Sequence, residues 1–237
     1  MLLTKTVEEL DYKLIENEVV ELRETQQRLK DNNFTAIDIG HEHRFWEYGM
    51  ALKAFHTWWN GDRNNLSLVD VGAGDSLLGP TFSVMEEIEI LEIEPRTSCY
   101  RNRIDCNIAL RSLGAKEISF FQGTTYNTEL KGQKFNAVFC ISVIEHVFDD
   151  HAFLRSLSDL VEQNGLLFLT TDVMPIMPGK YHFDNLREHN YTMFDICKKI
   201  EYLNLVGFEL LGESDLTYKG DKVFNYSFAS IAMAKVK

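Results

Sequence analysis

The sequence predicts an α/β protein: a doubly wound, seven-stranded and mostly parallel sheet, preceded by a helical N-terminal extension. From Leu66 onward, short apolar runs alternate with segments of helical periodicity, as in strands joined by crossover helices. The first sixty or so residues show helical patterns instead. The last two apolar runs are joined by a connection too short for a helical crossover, which predicts an antiparallel last strand.

Residues 1–64 are predicted to form a helical cap on the main domain. The stretch VEELDYKLIENEVVELRETQQRLKDNN is rich in helix-forming residues and repeats apolar residues on roughly one face. In RFWEYGMALKAFHTWW, apolar residues recur every four positions and share a core-facing side: Trp46, Met50, Ala54 and Trp58. A dimerising helix is the alternative, but the pattern is short and irregular for a coiled coil, which favours the cap.

Residues 65–237 are predicted to form the α/β domain. Its first five strands are expected at LSLVDV, IEILEI, EISFF, FNAVFCI and GLLFLTT. Helices are expected after Gly74, from about Pro95 to Leu113 and from about Asp149 to Gln163. Gly165 is expected to end the last of these helices in a left-handed conformation. A further helix and strand, YTMFDICKKIEYLNLVGFELLG, precede the final strand in VFNYSFASIAMAKVK.

Composition argues against several classes of protein. The formal net charge of -12 disfavours nucleic-acid binding, because proteins that bind phosphate backbones use clustered Lys and Arg. No apolar run approaches the length that crosses a bilayer, and the N-terminus lacks the pattern of a signal peptide. The four cysteines and seven histidines form no metal-binding spacing, so we expect free thiols, no metal and a cytoplasmic location.

The stretch LVDVGAGDSLLGP marks a ligand-binding loop where a strand ends and a helix begins. Ligands of open α/β sheets bind at this edge, and Gly72 and Gly74 allow a tight turn and close approach to the backbone. A dinucleotide-binding loop would place a third glycine at Leu77, and an acid such as Asp70 suits a cationic group better than a pyrophosphate. Glu92, twenty residues beyond Gly72, has the spacing of a ribose-binding carboxylate.

An acid for a cation, bare backbone and an acid for a ribose are what S-adenosylmethionine requires. The chain from Leu66 onward resembles a class I (Rossmann-like) S-adenosylmethionine-dependent methyltransferase of the small-molecule type. Its glycine loop is similar to the family's D/E-x-G-x-G-x-G, with Ser76 at the third glycine, and LEIEP is similar to V-D-x-S-P. FNAVFCISVIEHV closely resembles F-D-x-V-x-x-x-x-V-L-E-H-V, with Asn136 in place of Asp.

The resemblance implies a set of cofactor-binding residues. It implies that Glu92 binds the ribose hydroxyls and that Cys140 and Ile141 line the methionine end. RFWEYGMAL resembles an R-x-W-E-Y segment of some members, which implies that Arg44 binds the cofactor carboxylate beside Tyr48. The whole implied set is Arg44, Tyr48, Asp70, Gly72, Ala73, Gly74, Glu92, Ile93, Thr124, Cys140 and Ile141.

Three residues are candidates for a general base, which a hydroxyl acceptor would require. His182 lies in the loop expected after the fifth strand, His146 follows Glu145 in the matched motif, and Asp172 ends the fifth strand. A carboxylate acceptor would need no base. We expect a small-molecule acceptor, with a hydroxyl of a metabolite or sugar as the favoured group.

Other functions stay open at this point. A protein acceptor is possible, whereas the amino-methylating nucleic-acid enzymes carry N/D-P-P-Y where this chain has CISVIE. A module that binds the cofactor without turnover is a further alternative. A nicotinamide-dependent reductase is disfavoured, because the third glycine of a dinucleotide-binding loop is missing. We expect a monomer or a homodimer.

Overall fold

A single mixed sheet of ten strands organises the described part of the chain. The computed structural model describes residues 2–6, 11–35, 42–59, 66–84, 88–174, 191–218 and 227–237. The strands are β1 (Leu2–Thr6), β2 (Ser67–Val71), β3 (Glu89–Ile93), β4 (Ser119–Phe121), β5 (Phe135–Ile141), β6 (Val161–Met174), β7 (Tyr191–Thr192), β8 (Phe208–Leu210), β9 (Glu213–Asp215) and β10 (Ser227–Lys235).

Seven α-helices accompany the sheet in these residues. They are α1 (Asp11–Leu14), α2 (Glu16–Asp31), α3 (Glu42–Trp58), α4 (Leu78–Val84), α5 (Ser98–Ser112), α6 (Asp150–Leu160) and α7 (Met193–Leu205). Short 3-10 helices occur at Thr128–Leu130 and Ile144–His146. In the described ranges, no helix combines the length and the apolar character that a bilayer crossing demands.

The strand order is β4-β3-β2-β5-β6-β10-β1-β9. The five strands from β4 to β6 are parallel, and β10 runs antiparallel to both β6 and β8. These observations confirm the predicted doubly wound sheet with its antiparallel last strand, whereas the predicted count of seven strands was too low, because the short strands β1, β7 and β9 were not predicted. The order reverses between β2 and β5, so the carboxyl ends of these two strands open a crevice.

Two hydrophobic clusters cover the two faces of the sheet. Alternate residues of the central strands divide between them: Val69 and Val138 contribute to the cluster under α6 and α7, whereas Leu68 and Phe139 contribute to the one under α2 to α5. Trp46 of α3 is fully buried in the cluster under α2 to α5, together with Met50 and Ala54. The predicted core-facing side of that helix is therefore confirmed.

The N-terminus departs from the helical prediction. Residues 2–6 form β1, which pairs antiparallel with β10, and Leu3 and Thr4 are fully buried. The hydroxyl of Ser230 donates to the carbonyl of Leu3 at 2.8 Å. The helical prediction was wrong here because five residues carry no periodicity of their own and become a strand through a partner 225 residues away. The division into a cap of residues 1–64 and a domain of residues 65–237 stays a proposal.

The junction between α6 and β6 also differs from the prediction. The helix ends at Leu160, and β6 begins at the next residue. Asn164, with a φ of 64°, has the left-handed conformation that was expected of Gly165. Asparagine tolerates this region because its short polar side chain can hydrogen-bond locally. All four cysteines are free thiols, and Cys99, Cys106 and Cys140 are buried.

We predict that Leu3→Ala lowers the free energy of unfolding by about 2–5 kcal/mol, since it removes a fully buried side chain of β1. Urea unfolding followed by circular dichroism measures the change. Leu14→Ala is the control, because Leu14 is 49% exposed and its loss should cost about 0.5 kcal/mol or less. Equal midpoints for Leu3→Ala and the wild type would show that β1 contributes nothing to the folded sheet.

Candidate functional site

A cavity of about 670 Å³ opens at the carboxyl ends of β2, β3 and β5. It lies where the strand order reverses, which is the usual ligand position in an open α/β sheet. Its walls come from α3, the glycine loop after β2 and the segments that follow β3 and β5. The lining residues are Arg44, Tyr48, Asp70, Gly72, Ala73, Gly74, Asp75, Ser76, Glu94, Pro95, Arg96, Ile141, Ser142, Val143 and His146.

The glycine loop turns sharply after β2 and passes close to the end of β5. The amide of Gly72 donates to the carbonyl of Ile93 at 2.7 Å, and its φ is 71°. A Cβ at this position would lie 2.4 Å from Cγ2 of Val143. The left-handed backbone and the close approach together require glycine at position 72.

A buried ion pair between Glu92 and Arg103 lies beneath this loop. The two side chains are 0% and 3% exposed. The guanidinium of Arg103 also donates to the carbonyls of Gly74 at 2.8 Å and of Ser76 at 3.3 Å. Glycine at position 79 makes room for this arrangement, because a Cβ there would lie 2.2 Å from Oε1 of Glu92. Glu92 therefore sits under the loop and does not line the cavity.

Glu94, the first residue after β3, lies on the cavity wall instead. Its Oε2 accepts from the amide of Gly74 at 2.8 Å, and its Oε1 accepts from Nε of Arg96 at 2.8 Å. Burial acts to raise the pKa of Glu94, but the hydrogen bonds from Arg96 and Gly74 outweigh it and lower the pKa. Sequence reasoning missed Glu94, although Pro95 marks the strand end and so identifies the acid nearest to the crevice.

Asp70 presents an unsatisfied carboxylate oxygen at the cavity. The residue is 3% exposed, and its Oδ2 has no hydrogen-bond partner among the described residues. Burial raises the pKa of Asp70 to about 7, against the hydrogen bond of Ser76 and the charge of Arg103, which lower it. A buried carboxylate oxygen without a donor is costly, and a cationic ligand in the cavity would satisfy it. The unpaired carboxylate oxygen of Asp70 and the glycine loop without large side chains therefore fit an adenosyl cofactor with a positive charge.

Helix α3 brings Arg44 and Tyr48 to the cavity wall. Tyr48 is 8% exposed, and burial raises its pKa to about 12. The guanidinium of Arg44 donates to the carboxylate of Glu47 at 2.9 Å, and its side chain is 38% exposed. These two residues, with the loop residues and Ile141, are the part of the implied cofactor set that the structure brings together around one cavity.

Four residues of the implied set lie away from the cavity. Besides Glu92, these are Ile93 and Cys140, which are buried in the hydrophobic cluster under α6 and α7, and Thr124, which is exposed. Cys140 and Ile141 are neighbours on β5, so their side chains point to opposite faces of the sheet, and the face of Ile141 meets the cavity. The amide of Thr124 donates to Asn127 at 2.9 Å.

The candidate bases are placed unequally. His146 lines the cavity. Asp172, on β6, is partly exposed and does not line the cavity. It lies near Glu145, and burial together with the charge of Asp172 raises the pKa of Glu145 to about 8. His182 lies outside the described residues. Within the described ranges, no group of three or more His, Cys, Asp or Glu side chains is arranged to hold a metal ion.

Comparison with known families bears directly on this cavity. Residues 69–169, from β2 to β6, match a family model described as a methyltransferase domain. This segment of the chain is thus similar to a methyltransferase domain. The match includes the glycine loop, Glu94 and the end of β5, which together form most of the cavity wall.

Individual relatives of this methyltransferase domain are distant. A ubiquinone biosynthesis O-methyltransferase of Azorhizobium caulinodans is 27% identical over 110 residues, which are 45% of this chain and 40% of the relative. The chain thus matches less than half the length of that curated protein.

Solved structures share the fold of the methyltransferase domain. The [4+2]-cyclase SpnF superposes with a TM-score of 0.61 at 14% identity, covering 80% of this chain and 82% of that one. The N-terminal domain of EvdMO1, crystallised with SAH bound, gives a TM-score of 0.59 at 14% identity over 91% and 97%.

We predict that Asp70→Asn stabilises the protein more at pH 8 than at pH 5. The pKa of Asp70 is about 7 in the folded state and 3.8 in the unfolded state. At pH values between these two, the carboxyl is therefore protonated in the folded state and ionised in the unfolded state. The contribution of Asp70 to stability therefore falls as the pH rises through this window, by roughly 2–4 kcal/mol. The amide removes this loss. Thermal unfolding at the two pH values measures it, with Asp75→Asn, an exposed acid of the same loop, as the control.

A stabilisation by Asp70→Asn that is equal at pH 5 and pH 8 would contradict the raised pKa of this carboxyl. A pH-dependent change of similar size in Asp75→Asn would assign the effect to the net charge of the loop.

Proposed function

We propose that this protein transfers the methyl group of S-adenosylmethionine to a hydroxyl group of a small metabolite or sugar. The observation that carries the proposal is the buried Oδ2 of Asp70, which has no hydrogen-bond partner among the described residues and belongs to a residue on the cavity wall. A second carboxylate, that of Glu94, lines the same cavity. This pairing suits a ligand that has a cationic end and a ribose.

In this proposal, each polar wall residue has one task toward the cofactor. Asp70 binds the cationic amino group, and Glu94 takes the ribose role that the sequence resemblance implied for Glu92. Arg44 binds the carboxylate, while Gly72 and Ala73 leave the backbone open for close contact. Bound in this way, the cofactor supplies a methyl group on a sulfonium, whose departure leaves a neutral thioether.

The contribution of the chain to catalysis is mainly orientation. Holding an acceptor oxygen in line with the methyl group and the sulfur is worth about 7–11 kcal/mol. His146, on the cavity wall, is the candidate to take the proton of the hydroxyl, which contributes roughly 10²–10⁴-fold. Asp172 and His182 remain the other candidates from the sequence.

The acceptor class rests on two supports. The Azorhizobium relative is named an O-methyltransferase, and the net charge of -12 disfavours a nucleic-acid acceptor. The four free thiols suit a reducing compartment such as the cytoplasm. A protein acceptor is the alternative for the same reaction. The proposed function is compatible with either a monomer or a homodimer.

A second candidate function follows from the likeness to SpnF. SpnF is a [4+2]-cyclase, and one fold can support different reactions. A module that binds the cofactor without methyl transfer is therefore the competing proposal for this chain.

Isothermal titration calorimetry with S-adenosylmethionine tests the cofactor site. We expect the wild type to bind, and we expect Asp70→Ala to weaken binding at least about tenfold, or about 1.4 kcal/mol, because it removes the partner of the cation. Asp105→Ala, which removes an exposed acid of α5 that does not line the cavity, should change the affinity by less than about twofold, and NADH should give no signal. A folded wild-type protein that does not bind S-adenosylmethionine would overturn the proposal.

Transfer of a labelled methyl group tests the acceptor. Phenols, catechols, sugars, carboxylic acids and a protein extract are each incubated with the wild type and with His146→Gln. We expect label on a hydroxyl compound, and a kcat for His146→Gln that is lower by roughly 10²–10⁴-fold with little change in acceptor KM. Label on protein favours the macromolecular alternative. Cofactor binding without label on any acceptor favours the non-methylating module.

A further inference from the structure

Ser142, the residue directly after β5, has an unfavourable backbone conformation on the cavity wall. Its φ is 50°, in the left-handed region, which costs roughly 1–2 kcal/mol for a residue with a side chain. Its amide donates to Thr170, with distances of 3.2 Å to the carbonyl and 3.1 Å to the hydroxyl. Strain of this kind persists where surrounding contacts over-determine the conformation.

The contact that completes this arrangement comes from Glu47 of α3. Oε1 of Glu47 accepts hydrogen bonds from the hydroxyls of Ser142 and Thr170. Oε2 accepts from Nη1 of Arg44 at 2.9 Å. Glu47 itself is 0% exposed, whereas Ser142 and Arg44 both line the cavity. One buried carboxylate thus joins two cavity residues that are separated by almost one hundred positions in sequence.

This junction requires a carboxylate. Three donors converge on two oxygens, and an ionised carboxylate is the side chain that accepts at both of its ends. A glutamine would present an NH₂ group to one of these donors, most disruptively to the guanidinium of Arg44. An aspartate keeps the charge, but its side chain is one methylene shorter. Its oxygens would therefore lie farther from the hydroxyls of Ser142 and Thr170.

We propose that Glu47 is a positioning residue that holds Arg44 and Ser142 in place and thereby sets the affinity for the carboxylate end of the cofactor. The inference rests on the proposed function, in which Arg44 binds that carboxylate. Burial acts to lower the pKa of Arg44, but the charge of Glu47, with those of Tyr48 and Glu145, raises it. The guanidinium therefore stays charged, and beyond the N–H group that binds Glu47 it has further donors that can reach a ligand in the cavity.

The test compares two ligands that differ by the carboxylate alone. Calorimetric Kd values are measured for S-adenosylmethionine and for decarboxylated S-adenosylmethionine, with the wild type and with Glu47→Gln. We expect the wild type to prefer the carboxylated ligand by about tenfold or more. We expect Glu47→Gln to bring this ratio to within about twofold of one, while its Kd for the decarboxylated ligand stays within about twofold of the wild type.

Glu18→Gln is the matched control, because Glu18 is a buried glutamate of α2 that pairs with Lys53 of α3 at 3.2 Å. We expect it to lower the melting temperature and leave the ligand ratio unchanged. In an Arg44→Met background, Glu47→Gln should have no further effect on the ratio. If Glu47→Gln does not fold, Glu47→Asp replaces it, with a partial loss of the preference expected.

The outcomes separate the two proposals. A wild type that binds neither ligand overturns the proposed function. A wild type that binds both ligands equally, or a Glu47 variant that keeps the wild-type ratio, overturns the role of Glu47 while leaving the proposed function standing. A variant that weakens both ligands by the same factor shows a merely structural role and also overturns the inference.

Discussion

The buried ion pair between Glu92 and Arg103 supports the whole ligand-binding edge. Both side chains are almost entirely removed from water, an arrangement that is favourable only when the charges are paired and hydrogen-bonded. Arg103 uses its remaining donors on the carbonyls of Gly74 and Ser76 and so fixes the path of the glycine loop. The same path directs the amide of Gly74 toward Glu94. The loop, the second carboxylate and the strand ends are therefore held as one unit.

Position along one strand separates the roles of two similar acids. Glu92 and Glu94 are two residues apart, so their side chains leave β3 on the same side. Glu92 lies under α4, where burial raises its pKa to about 8 despite Arg103. Glu94 lies past the strand end, where hydrogen bonds from Arg96 and Gly74 lower its pKa against the effect of burial. The acid that lines the cavity is thus the one whose charged form is favoured by hydrogen bonds from Arg96 and Gly74.

The fold and the site carry different information about function. The superposition on SpnF and EvdMO1, at 14% identity in each case, shows a common architecture. A cyclase among these neighbours illustrates that architecture does not select the reaction. In the proposed function, the choice of acceptor therefore depends on a few side chains, among them His146, and on the proposed anchoring of the cofactor by Asp70 and Arg44.

The sequence by itself determined the alternation of strands and helices from β2 to β6 and the position of the glycine loop with Asp70, because these follow from local periodicity and turn chemistry. The tertiary structure decided what depends on distant partners. It made residues 2–6 a strand through β10, assigned Glu94 rather than Glu92 to the cavity, and separated Ile141 from Cys140. It also joined Glu47 to Ser142 and Thr170. A difference of one residue along a strand changes the face on which a side chain lies, and a buried carboxylate finds its donors only after folding. A local pattern therefore identifies neither the strand-end residues that face the cavity nor the partners of Glu47.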